Sequence, residues 1–274
     1  MNSNYKFNSS LSQTPHLVAH LDFLGAKAKM HSIEERDAFL QQIYEIYIAA
    51  ANNKLSNITK YMLRSMYSRI FSDNILVALP AGMDNYITGN FLRIARFCTM
   101  FQFLALTKGL FVRGAITYGD FIGNDTFVFG EALVNAYEVE TSRAIYPRIL
   151  IDNSVFNNLH IEISNIIPKN DEFKKIIKRD FDGQWYISPF GTMPKGFMLE
   201  NYENYLSDVK KHIFGAYQKS IKEKHKQKYY WLITKFNEFC EENNFIEQKI
   251  ALAVNGEPMP VALDTIINNE VSHE

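Results

Sequence analysis

The chain has 274 residues, 47% hydrophobic and 14% aromatic, with 29 basic against 30 acidic side chains. That length fits one domain with a substantial appendage or two small domains. The apolar content excludes a disordered chain, and a formal net charge of −1 supplies no global electrostatic pull towards a polyanion. Two cysteines, Cys98 and Cys240, exclude a disulfide framework and a Cys-rich zinc site. No apolar run approaches the roughly 18–20 residues that span a bilayer, and the N-terminal MNSNYKFNSSLSQTP lacks the apolar core of a secretory signal. A reducing cytoplasm is the expected location, with no membrane partner.

In chain order, residues 1–15 read as a flexible leader ended by Pro15, with the first domain opening at about residue 14. Leu17–Leu21 is a short apolar run closed by Asp22 and followed by Gly25, the pattern of a buried strand. Ser32-Ile33-Glu34-Glu35 has capping-box spacing, and Phe39, Leu40, Ile43, Ile46 and Tyr47 follow at helical intervals, predicting a helix over 33–53. Met66–Ile70 and Ile75–Leu79 flank Phe71-Ser72-Asp73-Asn74 as the arms of a hairpin. Asn85–Lys108 predicts a well-buried helix, with Phe91, Ile94, Ala95, Cys98, Phe101 and Ala105 on one face, widened by Phe97 and Leu104.

Next come a strand over 110–118, a turn over 119–124, a short strand over 126–129, a helix over 130–143 and a strand over 148–151. The order β-α-β-β-α-β-β-α-β implies an α+β sheet with helices on one face. Past about residue 155 the texture changes: 153–182 is polar and irregular, 185–188 is a candidate strand, and 202–243 is strongly helical, enough for two helices. The expected organisation is a leader over 1–13, an α+β domain over 14–155 and a mainly helical extension over 156–274.

Two aspartates sit where chemistry can gather: Asp22, leaving a strand into a glycine turn, and Asp73, at a hairpin tip. On neighbouring strands their carboxylates would meet at one edge of the sheet. A hard divalent cation relieves that repulsion, and Mg²⁺ typically takes one or two carboxylates plus substrate phosphates. Backbone N–H groups around Gly25 could cradle a phosphate. Taken singly, each Asp also suits a plain turn-capping role.

Further along, Val112-Arg113-Gly114-Ala115-Ile116-Thr117-Tyr118-Gly119 leads into Phe129-Gly130-Glu131-Ala132-Leu133-Val134-Asn135-Ala136-Tyr137-Glu138-Val139-Glu140. With the two Asp turns, this order resembles the catalytic domain of the class III nucleotidyl cyclases. That family carries Asp-(Ile/Phe)-x-Gly-Phe, a Gly-Asp-Ser-like hairpin tip, Arg-x-Gly-Ile-x-x-Gly and Phe/Trp-Gly-Asp-x-Val-Asn-x-Ala. Here 51 residues separate the aspartates and 40 separate Asp73 from Arg113. The resemblance covers roughly residues 14–155. Arg-Gly-Ala-Ile-Thr-x-Gly and Ala-x-x-Pro-Arg-Ile make the chain look like a divergent bacterial offshoot.

The resemblance implies a ferredoxin-like cyclase core with a helical C-terminal extension, Mg²⁺ or Mn²⁺ as cofactor, a nucleoside triphosphate as ligand, and a homodimer. Asp22 and Asp73 match paired metal ligands, and the carbonyl of Phe23 matches a backbone ligand. Phe23, Leu24, Gly25 and Ala26 match the turn holding the β- and γ-phosphates, and Arg113 matches a triphosphate-binding arginine, a role that suits a guanidinium fork. Val134 stands where the family has a ribose-orienting Asn, and Glu138 where it has a transition-state Arg. A glutamate there would repel charge accumulating on a phosphoryl group. Asn135 and Arg143 are the substitute catalytic candidates. Arg69 and Phe127 fall at base-reading positions, and Arg69 could donate to a base carbonyl.

Three functions follow. The first is a divergent nucleotidyl cyclase, with a bacterial signalling or antiphage role. The second is a catalytically degenerate nucleotide-binding or scaffold protein on that fold. The third is a nucleic-acid-binding accessory protein, suggested by seven lysines within 207–228; lysines without matching arginines read as a solvated helix face, so nucleic acid is the less expected partner. His16 and His20 are four apart on a strand, about 13 Å at strand rise, which argues against a zinc site.

Overall fold

A computed structural model describes residues 12–51, 66–81, 87–158, 171–191, 199–251, 253–254 and 257–258. The sheet is built on β1 (Thr14–Phe23), which is paired antiparallel on one side with β3 (Asn74–Pro80) and on the other with β4 (Val112–Gly123). Strand β2 (Tyr67–Phe71) completes the expected hairpin with β3. Strand β6 (Ile149–Ile151) runs parallel to β4, and β8 (Trp185–Ile187) and β7 (Ile177–Arg179) extend the sheet beyond it; β5 (Val128–Phe129) pairs with the end of β4. The strand order is β2-β3-β1-β4-β6-β8-β7, a mixed sheet in an α+β fold. A separate two-stranded pair joins β9 (Ala253–Val254) and β10 (Glu257–Pro258).

Helix α1 (Ile33–Ala51) begins with the expected capping box: the Glu35 N–H donates to Ser32 Oγ at 3.1 Å, and the Ser32 N–H to Glu35 Oε2 at 3.3 Å. Its buried face is Phe39, Ile43, Ile46 and Ala50. Leu40, placed on that face by periodicity, is 58% exposed. Helix α2 (Ile87–Thr107) is buried nearly all round from Ile94 onward. Both pack on the face of the sheet formed by Leu17, Ala19, Leu21, Ile75, Val77, Ile116, Ile149 and Ile187.

The opposite face is covered as well, which corrects the expectation of helices on one side. Alternate strand residues Val18, Leu76, Ala78 and Phe121 pack under Ala132 and Ala136 of α3 (Glu131–Arg143). Ala115, Leu150 and Tyr186 pack under α6 (Leu199–Lys219) and α7 (Glu223–Glu242). A central strand buried on both sides reads as a near-continuous apolar run, and β1 reads Leu17-Val18-Ala19-His20-Leu21, broken only by the buried His20.

Other boundaries also moved. Pro15, expected to end the leader, lies in β1 opposite Asp120. The predicted turn over 119–124 is strand, because β4 continues to Gly123 and carries Phe121 into the core; the chain reverses at 124–127, where Asn124 Oδ1 accepts the Thr126 and Phe127 N–H groups. Gly130, the residue before α3, has φ 145°, and a Cβ there would lie 2.2 Å from the Asp120 carbonyl, so only glycine lets α3 start this close to β4. The polar region after residue 155 contains α4 (Asn153–Asn158), α5 (Asp171–Ile176) and β7 among its described parts.

The C-terminal layer is fastened by Arg148. This guanidinium, with a side chain 1% exposed, donates to Asp180 and Asp182. Asp180 also accepts the Trp231 indole N–H at 2.7 Å and lies 3.4 Å from Lys235 Nζ. Trp231 stacks on Tyr146, with centroids 5.7 Å apart. Removing one member of a buried ion network strands the others in low dielectric. Arg148→Ala is expected to lower unfolding free energy by about 3–5 kcal/mol in urea titrations. Trp231→Phe, which keeps the ring and loses the donor, should cost about 1.5–3 kcal/mol.

Candidate functional site

The two aspartates are brought together as their strands require. Asp22 is in register with Asn74 on one side and with Arg113 on the other. Asp73 is in the adjacent hairpin turn; its carbonyl accepts the Phe23 N–H at 3.3 Å, and its Oδ1 accepts from Asn74 Nδ2 at 3.2 Å. The chain then turns through Gly25, whose φ of 77° suits glycine, into a 3₁₀ turn over Ala26–Lys29. The Leu24 N–H is bound by the Phe111 carbonyl at 2.8 Å, which fixes this turn to the start of β4.

Residues opposite one another in an antiparallel pair point to one face, so Asp22 and Arg113 meet beneath α3. Arg113 Nε donates to Asp22 Oδ2 at 3.0 Å. Glu140 Oε1 lies 2.7 Å from the same nitrogen as a charge contact, and accepts no hydrogen bond. Glu140 reaches the site because it shares the buried side of α3 with Ala132, Ala136 and Val139. Helix α7 adds Lys228, whose charge acts on Asp22 and Glu140 together.

Carboxylates outnumber cations here, Asp22, Asp73 and Glu140 against Arg113 and Lys228, and the titration behaviour follows. Burial raises Asp22 despite the hydrogen bond and charge of Arg113. Glu140 is pushed up to about 7 by burial, with Asp22 and Asp73 adding to the effect and Arg113 and Lys228 opposing it. His20, two residues before Asp22 on the same face, is lowered to about 4 by burial and then by Arg113. Its Nδ1 has no hydrogen-bond partner among the described residues, and its ring sits edge-on to Tyr137 with centroids 5.7 Å apart.

Other expected residues are engaged elsewhere. Arg69 donates from Nη2 to the Asn124 carbonyl at 2.8 Å and from Nε to the Tyr67 hydroxyl at 3.0 Å. Arg143 donates to Asp152 Oδ2 at 2.9 Å and Gln184 Oε1 at 2.5 Å, tying the end of α3 to the turn before β8. Asn135 is half-exposed, and Val134 and Glu138 are exposed. No hydrogen bond or ion pair joins Asn135 or Arg143 to Asp22, Asp73 or Arg113.

Among the described residues, no group of three or more His, Cys, Asp or Glu side chains is poised around a metal position. The oxygen donors that could take part in holding a divalent cation are the Asp22 and Asp73 carboxylates and the Phe23 carbonyl, leaving the other ligand positions to a bound phosphate. That hard-oxygen set fits Mg²⁺ or Mn²⁺, and the local excess of negative charge favours a cation. No described helix is long and apolar enough to cross a membrane.

No family model matches the chain, and no curated protein matches its sequence. It is similar to two solved structures of a bacterial light-regulated adenylyl cyclase. One is 11% identical with a TM-score of 0.39, covering 55% of this chain and 46% of that one. The other is 10% identical with a TM-score of 0.37, covering 73% and 100% respectively. The chain thus spans about half the length of the first.

An acid whose pKa is higher in the folded chain binds its proton more tightly when folded. The Glu140 contribution is therefore full below its ordinary value of 4.5 and is lost as pH rises to about 7. His20 acts in the opposite sense over about 4 to 6.5, so the two partly cancel in the wild type. Subtracting wild-type from Glu140→Gln stability isolates the carboxyl: the difference should grow by on the order of 2 kcal/mol between pH 4.5 and 7 and then level off.

Proposed function

We propose that this chain is a nucleotidyl cyclase-like protein that binds a nucleoside triphosphate with Mg²⁺ or Mn²⁺ and forms a cyclic nucleotide. The observation that supports this best is the placement of Asp22 and Asp73 on neighbouring elements, with Arg113 directly across from Asp22 and the Phe23–Ala26 turn beside them. A scaffold has no need of two carboxylates and a guanidinium gathered at one half-buried spot.

In this reading Asp22, Asp73 and the Phe23 carbonyl hold the metal, and the Phe23–Ala26 turn meets the β- and γ-phosphates. The metal, when bound, would supply a lowered pKa to the ribose 3′-hydroxyl and charge neutralisation at the α-phosphate. Arg113 is shared between Asp22 and Glu140, so taking up a triphosphate requires its guanidinium to exchange carboxylate for phosphate oxygens. Such an exchange between like-charged acceptors keeps a charge-assisted bond throughout. Association into a homodimer belongs to the same proposal, and a sedimenting monomer that still turns over nucleotide would remove it.

A second reading, nucleotide binding without catalysis, draws on the Arg143 position, committed to Asp152 and Gln184, and on the exposed acid Glu138 at the transition-state position. Incubation with ATP, GTP, CTP and UTP in turn, with Mn²⁺ and products resolved by mass, separates the two. A cyclic monophosphate is expected with at least one of them and should vanish in Asp73→Ala. Metal-dependent binding without any product would move the assignment to the second reading.

A further inference from the structure

Helix α7 is seated on the turn that leaves β1. Tyr229 packs edge-on against Phe111, with ring centroids 4.8 Å apart, and the Phe111 carbonyl is the one that fixes Leu24. Leu24 packs into the cluster containing Tyr229, Tyr230 and Trp231. Lys228 precedes the buried Leu232 by four residues and Trp231 by three, which puts it on the covered side of the helix.

Its half-buried ammonium is influenced by Arg113, Asp22 and Glu140 at once. Yet Nζ makes no ion pair or hydrogen bond among the described residues. Burial, with Arg113 and Lys224 adding, lowers its pKa, while Asp22 and Glu140 oppose. Arg113 spends its Nε on Asp22 and lies against Glu140; Lys228 spends nothing. A half-buried ammonium with three uncommitted donors, beside a turn suited to phosphate, can donate to the oxygens of a bound phosphate.

We propose that Lys228 is a phosphate-binding residue of this site, supplied in cis by the C-terminal helical layer, and that its ligand is the polyphosphate chain of a nucleoside triphosphate. This rests on the metal–nucleotide reading above and deepens it. It gives α7 a function besides covering the sheet: the site draws its cations from two places, Arg113 on β4 and Lys228 on α7.

Calorimetric titration of the full chain with inorganic tripolyphosphate in Mn²⁺ tests this without base recognition or turnover. Lys228→Gln should weaken tripolyphosphate binding about 10- to 100-fold, the effect of losing one charge-assisted hydrogen bond. Lys228→Arg should retain most of the affinity, and Lys224→Gln, one turn earlier on the same stripe but exposed in the first turn of the helix, should retain all of it. Thermal melts of Lys228→Gln should match or exceed the wild type, since a half-buried unpaired charge has been removed. Binding lost in Asp73→Ala but unchanged in Lys228→Gln overturns the role of Lys228 and leaves the metal–nucleotide reading standing. No binding by the wild type overturns both. Equal losses in Lys224→Gln and Lys228→Gln overturn a specific contact in favour of a diffuse field.

Discussion

A guanidinium can be taken out of water only where acceptors are already waiting, and Arg148 sets that condition for the whole molecule. Asp180 and Asp182 supply the acceptors, Trp231 and Lys235 hold Asp180 in turn, and Tyr146 and Trp231 close over the group. The network joins β6, the turn before β8, and α7. Without it, Leu150 and Tyr186 would have no reason to face one particular helix, because a hydrophobic surface alone does not choose its partner. The polar network selects the docking, and the docking in turn lets the charge of Lys228 act on Asp22 and Glu140.

The candidate site has a different economy. Arg148 is matched by its carboxylates, whereas Arg113 is shared by Asp22 and Glu140 with Asp73 close by, and burial leaves both Asp22 and Glu140 above their ordinary range. A matched network holds a fold together, and an unmatched one invites a ligand that carries the missing charge. Both are built around arginines from the same stretch of chain, Arg113 on β4 and Arg148 at the parallel β6, which shows how little the residue type by itself says about role.

Much of this was legible in the sequence. Unbroken apolar runs marked β1 and β3, Ser32 and Glu35 marked the start of α1, and the Asp22, Asp73 and Arg113 spacing marked three residues that the sheet does bring close. What was not legible depended on tertiary contacts. Glu140 hid in an acidic stretch, although its register with Ala132 and Ala136 placed a charge on the buried side of α3. Lys228 hid among seven lysines, distinguished only by its spacing from Leu232. The helical run over 202–243 reads as a cover for the sheet, but which face it covers was not legible, because α6 and α7 lie far along the chain from the strands they pack on. Strand β7 was missed because three residues, Ile177-Lys178-Arg179, are too few for any periodicity to register.

Among the described residues the sheet ends in β2 on one side and β7 on the other, and both margins carry charge. Arg69 stands on the first, Lys178 and Arg179 on the second, and β7 is only three residues long. A second copy approaching margin to margin would meet charged side chains, Arg69 paired with Asp125 and Lys178 with Glu242, across a short, poorly templated ladder. The fold therefore resists growth by strand addition, the route by which open sheets polymerise. Any association of identical chains is directed to the broad surfaces of the molecule, where the exposed side chains of Val134 and Tyr137 on α3 offer apolar area without offering unpaired backbone.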